Sequence, residues 1–299
     1  MENKEQITYI GNGLLINAPA KINLSLLIAG KRPDGFHEIE TIMAKINWYD
    51  EILIERGPEP GINLICKGQY WAPQGEENLV YKAAQIFMDN CQLKEPLNIT
   101  LTKNIPAGTG LGSASSDAAA TLIGLNKYLK TEIDNSLNSM ASDLGSDVAF
   151  FLDGPLAYCT GKGEKIYKIE KIFDFTTLLI LPDISVSTKK VYENYRHDMA
   201  LYEKLKLQIN ENITKNRIDL VTKVCANMLE LSCFSLNKQL ADLKKEIEKL
   251  NIGNCCLSGS GSTLYCLFER GDESEVIKYQ NMIKEKIGCN CLVASNNRW

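Results

Sequence analysis

Nothing in the 299 residues resembles a membrane span, because every apolar run falls short of the eighteen or so residues that a bilayer-crossing helix requires. An excess of basic charge is also missing. With 33 Lys and Arg against 37 Asp and Glu the formal net charge is −4, which argues against a general nucleic-acid binder, whose affinity rests on neutralising phosphates. The opening residues Met1-Glu2-Asn3-Lys4-Glu5-Gln6 are too polar and acidic for a secretory or transit peptide. The expected location is therefore cytoplasmic, with neither membrane nor nucleic acid as a partner.

Close cysteine pairs are lacking too. The ten cysteines (Cys66, Cys91, Cys159, Cys225, Cys233, Cys255, Cys256, Cys266, Cys289 and Cys291) are scattered through apolar segments without the spacing of a zinc knuckle. They read as reduced thiols acting as small hydrophobes. What remains is ordinary globular composition, 44% hydrophobic and 23% charged, enough for a substantial core in one large domain or two of usual size.

The stretch Ile105 to Ala120 carries three glycines and four small hydroxyl residues between an alternating strand pattern (Leu97 to Thr102) and a helical one. Such a loop at a helix start leaves backbone N–H groups uncovered, which makes an anion cradle suited to a polyphosphate. It is neither a Walker loop, since no Gly-Lys-Ser/Thr follows, nor a GxGxxG fingerprint. A loop needed only for tight packing is the other reading.

Alternation predicts strands over 9–16 and 18–26, with Lys21, Asn23 and Ser25 on one face of the second. Lys21 is then either a solvated strand charge or, with Asn23, a binder of hydroxyl or phosphate. The turn Lys31 to Glu38 leaves Phe36 and His37 side by side, as a packed loop aromatic or as a surface for a flat heterocycle. Apolar spacing predicts a helix over 77–88 and further helical stretches over 136–144, 217–230 and 236–250. Asp147, between a Gly-Ser turn and five apolar residues, is either a rim carboxylate for chemistry or an Asx-turn cap. A composition shift at Gly161-Lys162-Gly163-Glu164-Lys165 reads as a connection between lobes. The loop Leu257 to Leu264 reads as a hairpin turn or as a second wall of the same cleft.

Taken together, Ala18-Pro19-Ala20-Lys21-Ile22-Asn23-Leu24, Pro106 to Ala120 and Leu257 to Leu264 resemble the GHMP small-molecule kinases, in that family's order and over nearly the whole chain. The turn Arg32-Pro33-Asp34-Gly35-Phe36-His37, with Leu144-Gly145-Ser146-Asp147-Val148 and Gly161-Lys162-Gly163-Glu164, is similar to the branch whose acceptor is a cytidine-diphosphate-linked methylerythritol. The resemblance implies an α+β fold in two lobes: an N-terminal ATP-binding lobe over 1–165, ribosomal protein S5 domain 2-like, and a C-terminal ferredoxin-like lobe over 166–299. It implies ATP and Mg²⁺ as cofactors, a small-molecule acceptor, and a monomer or homodimer. Mevalonate, homoserine or a sugar as acceptor is the alternative, and a nucleotide-binding protein without turnover is a third reading.

By the same resemblance Asp147 matches the general base and Lys21 the lysine beside it, while Asn23 lines that pocket. Phe36 matches an aromatic that stacks on cytosine, His37 a hydrogen-bond partner of the base, and Tyr192 the second aromatic. Lys103, Pro106, Ala107, Gly108, Thr109, Gly110, Leu111, Gly112, Ser113, Ala114, Ser115 and Ser116 match the ATP phosphate loop with its preceding basic residue. Asp117, where the family often has Asn, is expected to add a Mg²⁺ contact or to repel phosphate.

Overall fold

In a computed structural model, residues 4–170, 174–215, 217, 223–224, 226–269 and 273–299 are described. A short strand β1 (Ile7–Ile10) turns at Gly11 into β2 (Gly13–Lys31), which pairs antiparallel along almost its whole length with β3 (His37–Arg56). The two strands expected over 9–16 and 18–26 are thus one. Pro19 does not end it, because the register shifts between Pro19 and Ala20 and absorbs the missing N–H in a bulge.

The first sheet continues with β4 (Ile62–Gly68) and β5 (Leu97–Lys103), which are parallel, in the order β1-β2-β3-β5-β4. Strands β6 (Leu156–Gly161) and β7 (Lys165–Lys168) extend it from the other half of β3. The segment expected to join two lobes is therefore the β6–β7 hairpin turn. Packed on this sheet are α1 (Leu79–Asn90), α2 (Ser113–Leu129), α3 (Asp134–Leu144) and α4 (Val148–Leu152), around buried Phe87, Leu122 and Phe150. Asn78 caps α1 by accepting the Val80 N–H at 2.8 Å.

The second sheet takes β8 (Phe175–Leu181), β9 (Cys255–Leu257), β10 (Leu264–Glu269) and β11 (Asn290–Ser295) in the order β11-β8-β10-β9. Helices α5 (Thr188–Asn194), α6 (Met199–Thr214), α7 (Glu230–Leu236), α8 (Lys238–Lys249) and α9 (Glu273–Lys286) complete this half. Ser187 caps α5, its hydroxyl oxygen accepting the Lys190 N–H at 3.4 Å. The helix expected over 236–250 begins only after Asn237. Of the one expected over 217–230, residues 218–222 and 225 lie outside the described residues, while 226–229 form a bridge to Leu26 and a turn, so that the next helix begins only at Glu230.

The halves are stitched together through β2 and β3. The Tyr265 hydroxyl donates to the Asn23 carbonyl at 2.7 Å, and the Asn297 N–H to the Lys45 carbonyl at 2.9 Å. This double cover is why β2 is buried on both faces from Ile16 to Ile28 and shows no polar edge. Cysteines 66, 91, 159, 233, 255, 266, 289 and 291 are free thiols. Cys256 is disulfide-bonded, which corrects the expectation that every cysteine is reduced. Among the described residues no helix is long and apolar enough to cross a membrane.

Candidate functional site

Two in-facing positions of β2 begin the site. Lys21, its side chain 4% exposed, donates from Nζ to Asn23 Oδ1 at 2.5 Å and lies 3.5 Å from Asp147 Oδ2. Asn23 is oriented by its own amide, which donates to Thr41 Oγ1 at 2.8 Å, and the Thr41 hydroxyl donates to the Ser25 carbonyl at 2.6 Å. Asp147 stands at the start of α4 but forms no capping hydrogen bond. Its carboxylate, about a third exposed, is directed at the lysine and the cleft instead of the backbone.

Helix α2 begins just behind this pair. Its first closed backbone bond runs from the Ser116 N–H to the Gly112 carbonyl at 2.9 Å, so the N–H groups of residues 113–115 precede the helical ladder and are available to an anion. Gly112 is left-handed at φ +68°, and a Cβ there would come within 2.9 Å of both Lys21 Cγ and Phe151 Cζ. Only glycine lets the loop turn while it lies against the lysine.

The second glycine loop closes on the first. Ser258 Oγ donates to the Gly110 carbonyl at 2.8 Å and the Thr263 N–H to the Thr109 carbonyl at 3.1 Å. Ser260 Oγ and Thr188 Oγ1 share a hydrogen bond at 2.8 Å, tying the loop to α5. Both loops line one cleft of about 990 Å³, to which Lys21, Asn23, Phe36, His37, Asp147 and Tyr192 also contribute. Gly108, Gly110, Gly112, Ser113, Ala114 and Ser115 of the first loop face it, with Gly259 and Ser260 of the second.

Aromatic groups crowd the far end. Phe36 is 56% exposed on a turn held by its own N–H donating to Asp34 Oδ1 at 3.1 Å and by the Arg32 N–H donating to its carbonyl at 2.8 Å. The His37 ring lies 5.2 Å from that of Tyr192 and meets Tyr195 edge-on at 5.8 Å. Burial, then the nearby charges of Lys31 and His197, lower the His37 pKa, so the ring is neutral near pH 7 and offers both a donor and an acceptor. Burial pushes the Tyr192 phenol up and raises that of Tyr195 to about 12.

Lys103 is a correction. Alternation along β5 places it on the same buried face as Leu97, Ile99 and Leu101, behind the loop and not in the cleft. Its ammonium is taken up by Asp50, by the Ser113 hydroxyl and by Asp117 at 2.6 Å. Asp50 Oδ1 accepts the N–H groups of Asn104 and Ile105 at 2.5 and 2.8 Å, so this cluster fixes where the loop departs from β5. One ammonium does not neutralise two buried carboxyls, and burial drives the Asp117 pKa well above the carboxylate range despite Lys103. The charges of Asp117 and Asp50 outweigh burial at Lys103 and hold it protonated. Asp117 therefore faces neither metal nor phosphate in the cleft.

Other loop members also turn away from the cleft. Leu111 is fully buried in the apolar core, and Ser116 points its hydroxyl into the protein on the inner side of α2. Pro106 and Thr109 bond to each other at 3.0 Å, and neither they nor Ala107 line the cleft. Conversely Thr41, Asp50, Lys162 and Tyr195 belong to the site or its support without having been singled out. Of these Lys162 lay within the Gly161–Glu164 motif without a role assigned to it, and Tyr195 lies three residues beyond Tyr192.

Comparison with known proteins agrees with this geometry. The family model "GHMP kinases N terminal domain" matches residues 78–155 and "GHMP kinases C terminal" matches 209–281. A 4-diphosphocytidyl-2-C-methyl-D-erythritol kinase of Clostridium botulinum (strain Eklund 17B / Type B) is 36% identical over 272 residues, 91% of this chain and 96% of its own. A crystal structure of a 4-(cytidine 5'-diphospho)-2C-methyl-D-erythritol kinase superposes with a TM-score of 0.75 at 27% identity, covering 95% of this chain and 100% of that one. Homoserine kinase from Cytophaga hutchinsonii has the same TM-score, 0.75, at 18% identity over 99% of this chain and 98% of its own, a likeness of fold alone.

Proposed function

Because this chain belongs to the GHMP kinase family and is an ATP-dependent small-molecule kinase, we propose that it phosphorylates the 2-hydroxyl of 4-diphosphocytidyl-2-C-methyl-D-erythritol, in the non-mevalonate route to isoprenoid precursors. The observation that carries this reading is the Lys21–Asp147 pair, 3.5 Å apart, beside an open loop of backbone N–H groups and in one cleft with Phe36, His37 and Tyr192.

Phosphoryl transfer asks chiefly for alignment and for stabilisation of charge in a loose transition state. In this reading the loop over Gly108–Ser115 holds the ATP phosphates, and the acceptor hydroxyl sits against Asp147. The carboxylate takes the hydroxyl proton as the oxygen bonds to the γ-phosphorus, and the bond to the bridging oxygen of ADP breaks. Lys21, fixed by Asn23, offsets negative charge at the same point. The aromatic end holds the cytosine, with neutral His37 free to hydrogen-bond its edge.

Magnesium fits this site as a companion of the nucleotide. No cluster of three His, Cys, Asp or Glu side chains able to cage a metal exists among the described residues. Mg²⁺ needs none, since it binds through few protein oxygens plus phosphates and water. The Ser115 hydroxyl, half-buried on the cleft wall, would hold it with the phosphates. When bound it neutralises charge on the transferring group.

Release of ADP tests the acceptor. The purified protein with ATP and Mg²⁺ is expected to turn over with the cytidine-diphosphate-linked polyol and not with mevalonate, homoserine or galactose. Turnover with one of those three, and none with the cytidine compound, would replace this acceptor.

A further inference from the structure

Lys21 stands directly opposite a second buried lysine, Lys45, in the pairing of β2 with β3. Their N–H groups turn away from each other, that of Lys21 to the Leu111 carbonyl at 2.9 Å and that of Lys45 to the Pro155 carbonyl at 2.8 Å. Such a pair is of the non-hydrogen-bonded kind, in which both side chains leave one face of the sheet at close spacing. From there they part to opposite ends of α4. Lys21 reaches Asp147 at its start, 3.5 Å away, and Lys45 reaches its end, donating to the Phe151 carbonyl at 3.2 Å and to that of Asp153.

Helix α4 has only five residues, too few to persist on its own propensity. Its last carbonyls have no partner within the helix and, where water is excluded, need a donor. Lys45 supplies it from among the Phe150 and Trp299 rings, whose centres each lie 5.9 Å from its Nζ. Burial lowers its pKa to about 7, the Asp153 charge opposing only in part. Ammonium and amine alike keep the two N–H donors that the two carbonyls take up. The Asp153 carboxylate is bound by Lys168 at 2.6 Å, but both side chains are about half exposed, and a pair so wet holds little. A Cβ on Gly112 would lie 2.9 Å from both Phe151 Cζ and Lys21 Cγ, so the end of α4 also meets the phosphate loop and the stem of Lys21.

We propose that Lys45 is a positioning residue for phosphoryl transfer, tethering the end of α4 so that Asp147 at its start keeps its working distance from Lys21. The proposal rests on the reading of Asp147 as the base and deepens it. Lys45 and Lys21 spring from paired strands, so fixing α4 to the one fixes Asp147 relative to the other. Without the tether the short helix is free to shift, and the carboxylate shifts with it while Lys21 stays on its strand.

A double-mutant cycle tests this: the native chain, Lys45→Met, Asp147→Asn and the double variant, assayed with ATP, Mg²⁺ and diphosphocytidyl-methylerythritol where circular dichroism shows each folded. Lys45→Met keeps the length of the side chain and loses its donors. Its kcat should fall on the order of tenfold to a hundredfold, the cost of misplacing a reacting group by about 1 Å, with KM for ATP close to native. In the Asp147→Asn background the same substitution should leave the residual rate unchanged, since no base remains to be misplaced. Lys45→Gln, which keeps a donor on a shorter arm, should lie between native and Lys45→Met, and it carries the cycle if Lys45→Met does not fold. A native kcat in Lys45→Met overturns the proposal while the reading of Asp147 stands. An equal loss in both backgrounds also overturns it, since the lysine would then only support the fold. If Asp147→Asn turns over like the native protein, the reading of Asp147 falls and the proposal with it.

Discussion

Gly110 and Ser258 join the two glycine loops: the Ser258 hydroxyl donates to the Gly110 carbonyl at 2.8 Å, and a Cβ on Gly110 would stand 2.1 Å from the Ser258 carbonyl oxygen. Gly110 also holds φ +83°, where an L side chain is strained. Gly110→Ala is therefore expected to push the loops apart and to raise KM for ATP at least about tenfold, with the melting temperature lowered by a few degrees. Initial-rate kinetics and thermal denaturation check both.

Asp147→Asn keeps the shape of the side chain and removes its capacity to take a proton. The expected outcome is a fall in kcat of roughly 10²–10⁴-fold with ATP affinity nearly intact. Steady-state kinetics beside nucleotide titration separate the two effects. Turnover close to native would take Asp147 out of the reaction.

The cluster behind the phosphate loop gives opposite expectations for two substitutions. Lys103→Met strips the buried Asp50 and Asp117 carboxyls of their cation and should destabilise the protein by ~3–5 kcal/mol. Asp117→Asn replaces a group already driven toward its neutral form and should be tolerated. With the Asp117 pKa raised, the folded chain keeps a proton that the unfolded chain has lost, so stability from this group is present at low pH and drains away as pH rises through the folded pKa. Asp117→Asn should therefore gain stability relative to the native protein as pH rises, measured by urea unfolding across pH.

Lys45 has the opposite sign. It lies buried beneath the end of α4, donating to the Phe151 carbonyl at 3.2 Å and to that of Asp153, and burial lowers its pKa from 10.5 to about 7, the Asp153 charge only partly opposing. Between those values the unfolded chain holds a proton that the folded chain has lost. Stability contributed by this group thus climbs as pH rises across that window. Relative to Lys45→Met the native protein should gain up to ~5 kcal/mol from about pH 7 to about pH 10.5, read from denaturant midpoints.

His37 gives an acid limb. Its pKa is lowered, so the neutral ring persists below the ordinary histidine range before falling pH charges it. The kcat/KM for the acceptor should then fall on acidification below the ordinary histidine range, and His37→Gln should flatten that limb. A native acid limb that His37→Gln leaves unchanged assigns it to another group.

Much of this site could be read from local pattern. The i, i+2 spacing of Lys21 and Asn23 on one strand face survives in the structure, and the glycine spacing of 108, 110 and 112 marks the loop that opens the cleft. The inward position of Lys103 was also visible, since Leu97, Ile99, Leu101 and Lys103 share one alternation. Its carboxylate partners were not, because Asp50 sits within the twenty-residue strand β3 with no motif around it. The long strand β2 misled for a related reason: covered on both sides, it shows no alternation of burial, and Pro19 reads as a boundary until the bulge is seen. Lys162 in its turn looked like part of a linker, since composition there does not distinguish a hairpin from a hinge.

The central claim is that Asp147, Lys21 and the open amides of the phosphate loop bring an acceptor hydroxyl to the terminal phosphate of ATP. Phosphorus NMR of the purified protein with ATP, Mg²⁺ and diphosphocytidyl-methylerythritol tests it most directly. A new phosphomonoester resonance should grow as the γ-phosphate of ATP disappears, with the diphosphate resonances of the acceptor retained. Loss of γ-phosphate only as free inorganic phosphate, or spectra in which ATP persists unchanged, would contradict the account.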